Sequence, residues 1–350
     1  MWTVTLADLR MRARQFAVAV LGATLVFAMA LIMAGLAGSF DAEARRTVAS
    51  VGADSYVVGS GVGGPFTSPA ALPGRMLATI RHEPGVLQAD PLVVQPSLAV
   101  STPTGKQFVH LIGVRPDGLG APHVGTGRPL AGAGQAVVDD ITKLSVGQTF
   151  SIGPHRFTVV GTVHGLDYLA GVPIVFLTLH DAQQAALGGH RDMTAVAVRG
   201  IPQSVPHGLT VMSADQARQD ILVPLQQAKG SISTIRNFLF CVAVVIIAVV
   251  VYLSALERRR DFAVLKAIGS STRWLYGGMA VQAATIALLS GLLALAIEPL
   301  MAAGIPMQLA VPGSARAALP VLALAIGLLA SLAGLRQAVR ADPALAFGSA

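Results

Sequence analysis

Cysteine is almost missing from this 350-residue chain: Cys241 stands alone inside an apolar run, so no disulfide can form within the chain. A polar domain must therefore stand on its own core, and cysteine usage says nothing about redox compartment. Charge is scarce as well. Charged residues make up 12% of the chain, against about 25% in an ordinary soluble domain. Hydrophobic residues reach 53% and mean hydropathy is +0.64. That balance excludes a plain soluble protein and describes a membrane protein with a sizeable polar portion.

Motifs for chemistry are missing too. No G-x-x-x-x-G-K-[ST] occurs, and Gly105-Lys106 lacks both the upstream glycine and the following hydroxyl. The chain cannot hydrolyse ATP by a P-loop of its own. The eight histidines are scattered without metal-ligand spacing, and no G-x-S-x-G is present. Asp139-Asp140 reads as a turn or strand end rather than as paired catalytic acids. Gly59-Ser60-Gly61-Val62-Gly63-Gly64 matches G-x-G-x-x-G, but Pro65, Phe66, Thr67 and Pro69 follow. No helix opens there to face a pyrophosphate, so a flexible surface loop is expected. No enzyme site emerges.

Long charge-free runs are present instead. Gln15 to Phe40 is 26 positions without a charge, longer than the apolar core of a signal peptide (about 7–15 residues), and is read as an uncleaved anchor. Further spans follow at 237–256, 274–297 and 317–335. Apart from Asn237 at the edge of the second, only Gln282 and some Ser and Thr are polar within them. Charges inside a membrane usually mark a pathway, so these spans read as levers more than as a pore.

The formal charge of +7 is concentrated beside the spans: residues 1–15, 257–273 and the tail from Arg336 onward together carry +6. This is a positive-inside bias and not a nucleic-acid footprint. The resulting division runs: lead-in 1–15, span 16–38, polar domain 39–236, span 237–256, charged segment 257–273, span 274–297, proline loop 298–316, span 317–335, tail 336–350. Both termini and 257–273 share one side, and the polar domain and proline loop the other. Alternating apolar strands recur through 39–236, near 54–58, 92–100, 107–114, 135–138, 149–152, 157–163, 172–177 and 194–199. Helical pieces lie near 74–82, 179–187 and 214–230, the last capped by Ser213. The expected fold is an α-helical membrane protein with four transmembrane helices and a large α+β extracytoplasmic domain, in two lobes, between the first and second.

The segment 257–273 hangs between two crossings. At 100° per residue, Phe262, Val264, Leu265 and Ile268 fall on one arc, with Glu257 and Asp261 aligned to it, and Gly269 offers a stop. Such a helix suits docking into another protein; an interfacial turn that meets lipid headgroups fits the periodicity equally well. In the last span Ala323, Gly327 and Ser331 recur every fourth residue, a seam for internal packing or for a dimer face.

The run Glu257-Arg258-Arg259-Arg260-Asp261-Phe262-Ala263-Val264-Leu265-Lys266-Ala267-Ile268-Gly269 resembles the Glu-Arg-x-x-Glu-Ile-Gly-x-Leu-(Lys/Arg)-Ala-x-Gly motif of FtsX/MacB-type permeases of ABC transporters. The tail Arg340-Ala341-Asp342-Pro343-Ala344-Leu345 is similar to that family's Asp-Pro-x-x-Ala-Leu ending, shortened by one residue. Leu144–Phe150 running into Phe157–Val163 resembles its extracytoplasmic pattern. The likeness covers nearly the whole chain. It implies a dimeric permease in the bacterial plasma membrane, a homo- or heterodimer, with both termini cytoplasmic. A separate cytoplasmic ATPase would bind ATP and Mg²⁺, leaving this chain without a cofactor, and the moving extracytoplasmic domain would meet a substrate or adaptor protein. ATPase coupling would fall to Glu257, Arg258, Asp261, Phe262, Leu265, Ile268 and Gly269, although Phe262-Ala263 replaces the family's Ile-Gly. An anchored extracytoplasmic receptor or sensor is the alternative, but the tail after Arg336 is only fourteen residues. An anchored enzyme would need a catalytic set that is missing.

Overall fold

The computed structural model describes residues 13–61, 63–168, 171–257, 264, 272–304 and 309–339. The chain divides into two compact units, Phe40–Gln227 and the pair of segments Met1–Ser39 with Ala228–Ala350. In chain order, α1 is Ala13–Val51, followed by β1 Ser55–Gly59, β2 Leu72–Pro73, α2 Met76–Arg81, β3 Val86–Thr102 and β4 Gly105–Val114. Then come β5 Thr126–Gly127, β6 Gln135–Asp139, β7 Thr149–Ile152, β8 His155–Val163, β9 Asp167–Tyr168, β10 Val172–Thr178 and α3 Leu179–Ala186. β11 Asp192–Met193, β12 Ala195–Gly200, β13 Leu209–Ser213 and α4 Ala214–Leu222 complete the inserted domain. The long helices α5 Gln226–Glu257, α6 Thr272–Ala302 and α7 Gly313–Val339 follow. Among the described residues, four helices are long and apolar enough to cross a membrane. A large mixed α and β domain is inserted after the first of them.

The inserted domain is built on one mixed sheet in the order β13-β1-β12-β3-β4-β10-β6-β8-β5, with β7 bridging β3 and β8. Most neighbours are antiparallel, but β4 with β10 and β6 with β8 run parallel. Two apolar cores form on it. Val93, Val109, Leu111, Val138, Phe150 and Phe157 pack under α3, while Val57, Ile80, Ala89, Val196 and Val198 pack with α2. β3 serves both, because it is 17 residues long and bends at a bulge between Gln95 and Leu98. Ser97 takes φ +54 there, a left-handed turn uncommon outside glycine. Each fully buried Leu, Ile or Phe contributes roughly 1.5–3 kcal/mol, so the domain needs no disulfide.

Local signals explain the helices. α3 starts on Thr178, whose hydroxyl accepts from Asp181 N at 3.2 Å. α4 starts on a reciprocal capping box between Ser213 and Gln216. Each strand and helical piece read from apolar alternation has a counterpart, but β3 starts six residues before the expected 92 and the helix expected over 214–230 ends at Leu222, with a 3-10 turn at Val223–Leu225 before α5. The two-residue strands β2, β5, β9 and β11 carry no periodicity to read, and β13, Leu209-Thr210-Val211-Met212-Ser213, lies at the sheet edge, where only one neighbour supports it.

The helical unit shows the inverse of a soluble protein's pattern. Its interior is rich in small residues, with Ala19, Ala23, Ala28, Ala243, Ala283, Ala287 and Ala323 packed around Phe27, Ile247 and Ile286. The large residues Leu21, Leu25, Leu288, Leu289, Leu292 and Leu329 point outward. In lipid, Leu gains nothing by turning inward, whereas small side chains let helix backbones approach.

Candidate functional site

The closest helix contact runs along α6 and α7. A Cβ on Gly327 would come 2.8 Å from the Ala283 carbonyl oxygen, 2.9 Å from Ala287 Cβ and 3.0 Å from Ala284 Cα. Gly291 meets Ala323 in the same way, at 3.0 Å. Ala323 is fully buried, and the nearly buried Ser331 donates its hydroxyl back to Leu328 O at 2.6 Å. The seam residues Ala323, Gly327 and Ser331 thus lie on α7, with Gly327 against α6 of the same chain.

Few polar groups punctuate the helices; the buried Thr24 hydroxyl has no partner among the described residues, but others are bonded across the bundle. Gln282 Nε2 donates to Ser254 Oγ at 3.1 Å, linking α6 to α5. Ser290 Oγ shares its proton between Ile286 O at 2.7 Å and Val20 O at 3.2 Å, linking α6 to α1. Such bonds hold register between helices and offer no ladder of charges for a solute.

One ionic contact escaped the sequence reading. Glu298, only 2% exposed, belongs to α6 and not to the loop beyond it. Arg316 on α7 meets it with Nη2 at 3.0 Å from Oε2 and 3.3 Å from Oε1, and Nε at 3.2 Å from Oε2. A fork of this kind is among the stronger charge-assisted contacts. The available signal was a pair of opposite charges bracketing a short loop with prolines.

Of the docking segment, Glu257 closes α5 and Thr272 opens α6. Arg258, Asp261, Phe262, Leu265, Ile268 and Gly269 lie outside the described residues, as do the lead-in before Ala13 and the tail after Val339.

The inserted domain holds several buried polar groups. The glycine-rich stretch, expected as a flexible surface loop, is anchored. Phe66 is fully buried edge-on against Tyr56 at 5.6 Å, and Gly64 N and the Thr67 hydroxyl both donate to Asp220 Oδ1. A cavity of about 480 Å³ beside it is lined by Gly61, Gly63, Gln216, Gln219, Asp220 and Gln226, among others.

His110 on β4 is fully buried, stacked on Tyr168 at 3.8 Å, with neither ring nitrogen hydrogen-bonded. Burial pushes its pKa down to about 3. Asp139 ends β6 as expected of a strand end. Its carboxylate accepts from Ile141 N and Leu166 N, yet burial, helped by a hydrogen bond with Asp140, pushes it up to about 6. Burial alone would raise Asp140 as well, but its 2.9 Å contact with His164 and its bond to Asp139 bring it below the usual carboxylate range. Among the described residues no group of three His, Cys, Asp or Glu side chains could hold a metal.

Residues 16–221 match the family model described as MacB-like periplasmic core domain, and residues 237–343 match that of the FtsX-like permease C-terminal region. Two proteins of Mycobacterium tuberculosis, both described as uncharacterized ABC transporter permeases, are 40% identical over 343 and 347 residues, covering 98% of each chain. A Mycobacterium bovis permease of the same description is likewise 40% identical over 347 residues and 98% of each chain. Among solved structures, the periplasmic region of MacB from Actinobacillus actinomycetemcomitans matches at 14% identity and TM-score 0.36, over 50% of this chain and 96% of that one. The extracellular domain of the transporter YknZ from Gram-positive bacteria matches at 14% identity and TM-score 0.34, over 46% of this chain and 99% of that one.

Proposed function

The chain belongs to the FtsX/MacB-type permeases of ABC transporters, and from that membership we propose that it couples ATP hydrolysis by a separate cytoplasmic ATPase to movement of its inserted domain. The observation that carries the reading is the chemistry of the helices. The four runs 16–38, 237–256, 274–297 and 317–335 contain no charged residue. A charge at a bilayer centre costs roughly 2.5–3.5 kcal/mol on insertion scales, so a solute pathway would leave its mark as retained polar side chains. Small-residue seams and paired hydroxyls support packed levers instead.

In this reading the inserted domain lies outside the cytoplasm and acts there on its substrate, by export, extraction or efflux, alone or with an extracytoplasmic adaptor protein. Both termini and 257–273 lie in the cytoplasm of a bacterial plasma membrane. The permease works as a homo- or heterodimer, and the partner ATPase binds ATP and Mg²⁺. Glu257, Arg258, Asp261, Phe262, Leu265, Ile268 and Gly269 form the surface that meets it. The first test is biochemical: the purified chain should turn over no ATP, and hydrolysis should begin when the cytoplasmic ATPase is added. Turnover by the isolated chain, free of contaminating ATPase, would sink the division of labour.

A further inference from the structure

Gly35 and Gly38 lie about one turn apart on α1. A Cβ on Gly35 would come within 2.6 Å of Val311 Cγ2, and one on Gly38 would fall on the Ala310 carbonyl oxygen and within 3.1 Å of the Pro312 ring. The loop between α6 and α7 therefore presses on α1 at a spacing that only a residue without Cβ allows. The same loop is closed at its base by the buried Glu298 and by Arg316, 18 residues apart in the chain and joined at 3.0 Å. Pro299 and Pro312 fix φ on either side of it. The ends of α6 and α7 are thus tied to each other, and their connection is seated on α1. Beyond the seat α1 continues without a break to Val51.

We propose that Gly35 and Gly38 are positioning residues, a seat through which the α6–α7 loop drives α1 and so sets the inserted domain in motion. This rests on the permease reading above. With Glu298 and Arg316 joining α6 to α7, and Ala310 to Pro312 packed against Gly35 and Gly38, a shift of α6 and α7 carries α1 with it. A contact that served only packing would alter stability without deciding whether nucleotide moves the inserted domain.

The test uses the full chain assembled with its ATPase in nanodiscs, with donor and acceptor fluorophores on noncanonical residues at Ile201 and Leu300, both exposed. Wild type should change its energy transfer on addition of ATP and vanadate. Gly38→Leu should abolish that change while the ATPase still co-purifies and hydrolyses ATP. A loosened loop, Pro312→Gly with Arg316→Gln, perturbs the seat without a steric wedge and should lose the change too. Adding Gly35→Cys and Val311→Cys to the loosened loop, in a Cys241→Ser background, should restore the change when oxidised and not when reduced. The seat is overturned if the loosened loop keeps the wild-type change, if an assembled Gly38→Leu complex keeps it, or if the oxidised tether fails to restore it. Absence of any nucleotide-dependent change in wild type would sink the permease reading itself, and the seat with it.

Discussion

Two buried groups in the inserted domain should pull its stability in opposite directions as pH falls, and removing either should expose the other. His110 has a folded pKa near 3 against an ordinary 6.5. Its contribution is therefore fully present above pH 6.5 and is lost as pH falls towards 3, because the unfolded chain takes the proton first. Asp139 has a folded pKa near 6 against an ordinary 3.8. Its contribution is fully present below pH 3.8 and is lost as pH rises through 6. One pH unit of mismatch is worth about 1.4 kcal/mol. Between pH 6 and 4 the two slopes nearly cancel, and these groups leave wild type almost flat. His110→Phe should make the domain more stable on acidification over that window, by about 2 kcal/mol. Asp139→Asn should lose a similar amount. Hydrogen exchange of the β4 and β10 amides in the full chain, corrected for intrinsic rates, measures both. If His110→Phe and wild type show the same slope between pH 6 and 4, the burial argument for His110 is wrong.

Three further outcomes follow from particular residues. Arg316→Ala strands the buried Glu298 carboxylate and should cost roughly 3–5 kcal/mol, while Glu298→Gln with Arg316→Gln costs much less; thermal unfolding in nanodiscs separates them. Phe262→Ala with Leu265→Ala should weaken co-purification of the ATPase, each side chain contributing roughly 1.5–3 kcal/mol if its burial is complete, whereas Arg259→Gln should do far less. The reverse ranking would mean the docking helix presents its other face. Reporter fusions after Gly230 and at Gly304 should read outside and those after Ser270 and Ala350 inside; an outside signal at Ser270 removes the docking helix from the ATPase.

The long-range plan was legible because it rests on sums over many residues. Twenty-odd uncharged positions make a membrane helix whatever their order, and apolar alternation announced β3, β4, β8 and β10 because both cores need it. What stayed hidden depends on single contacts between distant residues. Glu298 looked like the first residue of a loop until Pro299 proved to lie inside α6 and Arg316 to sit opposite. Pro65 and Pro69 spoke against a nucleotide fold, but nothing local foretold that Phe66 would be buried against Tyr56 and turn a glycine-rich run into an anchored loop. Gly35 and Gly38 were part of an ordinary apolar run; only the approach of Val311 and Ala310 gives them a role. The seam of Ala323, Gly327 and Ser331 could be read as a stripe, but which helix it meets is a tertiary fact.

Nucleotide at a separate ATPase should move the inserted domain, and energy transfer between positions 201 and 300 in the reconstituted complex measures that movement. A change is predicted with ATP and vanadate, none with ADP, and none when the ATPase is left out. An unchanged signal under ATP and vanadate in a complex that hydrolyses ATP would contradict the account.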